Sequence, residues 1–190
     1  MAPTPPSIPD AALEARGWRR IEDRTETVFE GLGVAVESRT FVYEDRTLRS
    51  KIAGAGGPDR VWRFLFVARL EITPSPMFGA HAALRPRVLR EAKRVFAEEL
   101  RERGIESVSA GGEERIEIAG DRRARVVPYR GQQLIDKGGK NEKTVDVVGR
   151  LALWHDDGFY VAGAAGPSEA IDGWVETETD AKELLEFVVG

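Results

Sequence analysis

The chain has 190 residues, 42% hydrophobic and 32% charged, with a formal net charge of -4, two histidines and no cysteine. That length suits one domain burying roughly 70% of its unfolded surface, with no need of a disulfide or metal to hold it. Zero cysteines exclude thiol nucleophiles, redox pairs, iron-sulfur ligation and Cys-rich zinc sites, and His81 and His155 are too few for a three-histidine metal centre.

No apolar run approaches the roughly 20 residues that cross a bilayer. The N-terminus, Met1-Ala-Pro-Thr-Pro-Pro, lacks the basic and apolar regions of a secretion signal, so the chain reads as cytoplasmic. Its cations are overwhelmingly Arg, and Glu outnumbers Asp. Weakly hydrated guanidinium groups in an acid-excess chain suit a high-salt or GC-rich organism.

Residues 1–16, rich in proline, are expected to be a disordered tail with at most one helical turn at Asp10 to Ala15; residues 17–190 form a single globular domain. From Trp18 the pattern has period two. Trp18 to Glu30 ends at Gly31-Leu32-Gly33, after which Val34, Val36, Ser38, Thr40 and Val42 share a face. This predicts a hairpin turning at the two glycines. Arg49 to Pro58, with Gly54-Ala55-Gly56-Gly57, predicts a loop. Arg60 to Thr73 predicts a strand with Phe64, Phe66, Ala68, Leu70 and Ile72 on one face, stopped by Pro74 and Pro76.

Over 85–103 the period becomes helical: Val88, Leu89, Ala92, Val95, Phe96 and Leu100 form a stripe, and Gly104 stands at the C′ position. Short alternating segments follow: Ile105 to Ser109, Glu114 to Ala119, Arg123 to Arg130, Gln133 to Asp136, Thr144 to Trp154 and Phe159 to Ala165. The connections are too short for crossovers, so the strands pair antiparallel, and Asp156-Asp157-Gly158 is a hairpin turn. Asp180 to Glu183 is a capping box that starts a short amphipathic helix over 180–189. The expected fold is α+β: an antiparallel sheet of about seven strands, covered by a long central helix (85–103) and the short C-terminal helix.

No motif names an activity. Gly54 to Pro58 lacks the Lys-Ser/Thr of a phosphate loop, no serine has a Gly-x-Ser-x-Gly context, and His155 with Asp156 and Asp157 reads as turn chemistry. No catalytic residue, cofactor or metal is assigned. Charge is the feature above background: residues 115–150 carry an excess of four cations, and residues 151–190 an excess of eight acids. Arg122, Arg123, Arg125, Lys137 and Lys140 are therefore candidates for meeting an acidic partner, unless the two blocks neutralise each other. Without aromatic interleaving, nucleic acid is disfavoured as that partner. Met77, Phe78 and His81, in the connection before the helix, are candidates for gating a pocket.

The last third of the chain, strand Thr144 to Trp154, the Asp156-Asp157-Gly158 turn, strand Phe159 to Gly163, Gly166-Pro167 and a closing helix, resembles the C-terminal half of the PsbP-like fold. The earlier strands and helix are compatible with that fold over residues 17–190. Composition and the same segment also resemble uncharacterised haloarchaeal proteins. The PsbP-like resemblance implies a non-catalytic module that binds a larger complex or a small GTPase. Two functional expectations follow. One is a non-enzymatic accessory domain contacting an acidic or larger protein; the other is a ligand-binding or hydrolytic domain with a pocket between sheet and long helix, gated by loop 73–84.

Overall fold

The structure, a computed structural model, describes residues 3–31, 33–74, 80–118, 122–135 and 143–168. Their order is α1 (Asp10–Ala15), β1 (Trp18–Gly31), β2 (Val34–Asp45), α2 (Arg46–Gly54), β3 (Phe64–Thr73), α3 (Ala80–Glu102), β4 (Ile105–Ala110), β5 (Glu114–Ile118), β6 (Arg122–Ile135), β7 (Lys143–His155) and β8 (Phe159–Pro167). The fold is α+β, with one antiparallel sheet of eight strands in the order β1-β2-β3-β8-β7-β6-β4; β5 pairs with β6 beside β4. The capping box and the helix expected over 180–189 lie outside the described residues.

The period-two segments become strands because each hides one set of alternate residues. On one face, Phe41, Tyr43, Leu65 and Val67 join Leu13 of α1 in a buried cluster. The Pro-rich N-terminal segment is docked here: Leu13 is fully buried, and the Tyr43 hydroxyl donates to Asp10. The opposite face carries Phe64, Ala68, Leu151 and Val161 against Leu89, Phe96 and Leu100 of α3.

Three expectations are corrected. The loop expected over 49–58 is largely α2, because the Asp45 carboxylate accepts from the Leu48 N–H at 2.9 Å and caps a turn whose Leu48 and Ile52 are buried. The break expected at Gly131 is absent, and β6 runs through it. A Cβ there would lie 2.5 Å from Ile105 Cγ2 and 2.9 Å from the Glu106 carbonyl oxygen, so this glycine admits β4 and does not turn the chain.

The third correction concerns the helix expected to cover the sheet. α3 begins at Ala80, ahead of 85, because Ala80, Ala82, Ala83 and Leu84 extend it in spite of Pro86. It ends where expected, with Gly104 at φ 79° and its N–H bonded to the Arg101 carbonyl. Its backbone comes closest to β4, β7 and β8. Phe96 sets that position. A Cβ at Gly163 would lie 2.9 Å from Phe96 Cε2, and one at Gly149 would lie 3.5 Å from Phe96 Cε1. The ring therefore beds on two glycines of β7 and β8, edge-on to Tyr129 at 4.9 Å. Over β1–β3 the helix leaves an open trough.

Candidate functional site

The trough is a cleft of about 570 Å³ between β1–β3 and α3. This falls within the roughly 300–1,000 Å³ usual for small-molecule sites. Its floor is the stripe of even-numbered residues on two paired strands. β2 supplies Val36, Ser38, Thr40 and Val42, and β3 supplies Phe66, Ala68, Leu70 and Ile72. The register sets Val36 opposite Ile72, Ser38 opposite Leu70 and Thr40 opposite Ala68. The α3 wall is Leu84, Val88, Ala92 and Val95.

β1 closes the third side through a bulge. The β1–β2 register slips between Thr27 and Phe29, leaving Val28 as the extra residue. Val28 and Phe29 consequently both reach the cleft, where strict alternation would send only one. The Arg87 guanidinium lies 4.7 Å from the Phe29 ring centre, joining α3 to β1 across the trough. Arg103 lies 4.1 Å over Phe64 in the same manner. The two arginines are sixteen positions apart, about 24 Å at the α-helical rise, with Arg103 one residue past the end of α3.

Ser38 and Thr40 interrupt the apolar floor. They are 2% and 4% exposed, and their hydroxyls lie 3.0 Å apart in a mutual hydrogen bond. Two charged pairs border the site: Arg24 lies 3.5 Å from Glu26, and Arg103 lies 2.6 Å from Glu99. Glu91 is bonded by Arg94, whose hydrogen bond holds its carboxyl below the ordinary value against the opposing effect of partial burial.

The basic candidates lie elsewhere. Arg122, Arg123 and Arg125 stand on β6, across the sheet from the cleft. Arg122 reaches Asp156 at 2.9 Å, Arg123 reaches Glu117 at 3.9 Å, and Arg125 reaches Glu113 at 3.4 Å. Part of the cationic excess is thus met by acids, one from the acidic block (Asp156), one from within 115–150 itself (Glu117) and one from just before it (Glu113). Lys137 and Lys140 lie outside the described residues, as do Met77 and Phe78. His81 falls in the first turn of α3, with its side chain outside the description. Asp156 enters a tight turn, its N–H bonded to the Gly158 carbonyl, and His155 packs edge-on against Phe159 at 4.9 Å.

Sequence reasoning found the two floor stripes but treated them as ordinary core faces. A serine and a threonine at successive positions of an otherwise valine-lined stripe were the available signal. Among the described residues, no group of three His, Asp or Glu side chains is arranged to hold a metal, and no helix is long and apolar enough to cross a membrane.

No curated protein and no solved structure matches the chain. A family model does, over residues 5–189, covering both strands and helix that build the cleft, and by that match the chain belongs to the family described as domain of unknown function DUF6517.

Proposed function

We propose that this protein is a non-enzymatic binding module that holds an elongated apolar small molecule in the cleft between β1–β3 and α3. The observation that carries the reading is the open trough itself, floored by alternate residues of two paired strands and walled by a helix docked on the other half of the sheet. Apolar surface in contact with water costs about 25 cal/mol per Å². Filling the trough with an apolar ligand recovers that cost, and the pre-formed walls keep the ordering penalty small. The proposal retains the non-catalytic binding role that the PsbP-like resemblance implies. It moves the binding from the basic stretch to the cleft, because Arg122, Arg123 and Arg125 already meet carboxylates.

Titration with the neutral dye Nile red tests the reading. Saturable, blue-shifted emission with one dye per chain is expected. Ala68→Trp should weaken it at least tenfold with unchanged circular dichroism, because Ala68 is on the floor and an indole there fills the trough. Leu70→Trp is a second obstruction at the same level. Dye emission that never saturates, or that both tryptophan variants leave unchanged, sinks the proposal.

A further inference from the structure

We infer that the ligand is a single-chain amphiphile with an anionic head, and that Arg87 and Arg90 hold the head; this rests on the apolar-cleft reading above. The argument is one of charge complementarity. Four arginines and three glutamates line the cleft. Arg24 is engaged by Glu26 and Arg103 by Glu99, while Glu91 is taken by Arg94, which is shared with Glu98. Arg87 and Arg90 remain, and neither has an ion-pair partner among the described residues. The α3 segment ahead of Glu91 holds Arg85, Arg87 and Arg90 and no acid, and Glu91 itself, close enough to feel Arg87, is bonded by Arg94.

The charge is uneven along the trough, and this orients the ligand. At the Phe64 end, Arg103 is neutralised by Glu99 and lies over the Phe64 ring. At the Phe29 end, Arg87 lies over the ring face and feels the charge of Glu91, but among the described residues it has no ion-pair contact, which leaves guanidinium N–H donors available to an anion. The head therefore sits beside Arg87 and Arg90, and the chain runs toward Phe66 and Phe96. The rise of about 24 Å along α3 from position 87 to position 103 is long enough for an extended alkyl chain to lie beside the helix. The Ser38–Thr40 pair is satisfied by its own hydrogen bond where the chain passes.

The test is displacement of Nile red from the full chain by dodecanoate and by 1-dodecanol, which share a tail and differ in charge. Dodecanoate should bind at least tenfold more tightly than the alcohol, as expected for a charged hydrogen-bonded head. Arg87→Gln/Arg90→Gln should abolish that preference and leave the alcohol within twofold of its original affinity. Arg90→Gln alone, which keeps the Arg87 contact with Phe29, should remove part of it. Equal binding of acid and alcohol by the unaltered protein overturns the inference, as does a preference that survives the double substitution. Displacement by neither compound while Nile red still binds overturns it too, and points to another occupant. In all three cases the cleft reading stands; it falls on its own test, when Nile red fails to bind saturably or both tryptophan variants leave its emission unchanged, and that outcome removes both.

Discussion

Glu44 and Asp45, at the end of β2, are neighbours with opposite duties. Glu44 is 1% exposed and is clamped by Arg19 at 2.5 Å and Arg49 at 2.8 Å. Burial pushes its carboxyl upward, but the hydrogen bonds from Arg49 and Arg19 prevail, and it lies below the ordinary carboxylate value. A folded value below the unfolded one, about 4.3, stabilises the fold above that pH, and the contribution is lost as pH falls through the folded value. Urea unfolding should therefore show stability falling in acid, and Glu44→Gln should flatten that dependence while lowering stability near neutrality. Asp45 caps α2 with one oxygen and binds Arg63, 4% exposed, with the other at 2.9 Å. Asp45→Ala should cost about 2–5 kcal/mol, through loss of the α2 cap and of the charged hydrogen bond to buried Arg63. Asp45→Asn, which keeps the cap, should recover about 1 kcal/mol of that in the same measurement.

At the scale of elements, α3 and β1 decide the shape of the cleft. Gly163 gives room to two rings at once. A Cβ there would stand 2.3 Å from Phe66 Cε1 as well as close to Phe96. Gly163→Ala must push these rings apart or lift the helix, so chemical denaturation should show a loss of about 1–3 kcal/mol. In β1 the bulge at Val28 turns Phe29 toward Arg87, and a second register slip between Arg20 and Glu22 leaves Ile21 exposed. Both slips, with the many charges of β1, keep this free edge from pairing with another chain. The helical stripe 88–100 was legible because its period is local, and the turn at Asp156 to Gly158 because its residues suit one geometry. α2 was not: its glycine-rich end masked a helix whose capping residue lies in the preceding strand.

For the whole molecule, an occupied cleft should stabilise the fold by linkage. A ligand at a hundred times its dissociation constant adds about 2.7 kcal/mol. For a domain of this size that raises the melting temperature by about 5–10 °C. Thermal unfolding with dodecanoate should show the rise, and Ala68→Trp should abolish it. The blocks of charge along the chain are a weaker guide at this scale, because pairing depends on which strands become neighbours. Arg122 meets Asp156 across the sheet, whereas Arg125 and Arg150 meet Glu113 and Glu114.

By itself the sequence determined the class of fold, the strand faces, the antiparallel pairing and the absence of thiol chemistry, since these follow from residue type and from periods of two and 3.6. The tertiary structure alone decided that the stripe running from Val36 to Val42 and from Phe66 to Ile72, though buried at its middle, lines a cleft. Period says which residues share a face. What covers that face depends on where the helix lands, and two glycines on strands far along the chain, Gly149 and Gly163, receive Phe96 and draw α3 to the other half of the sheet.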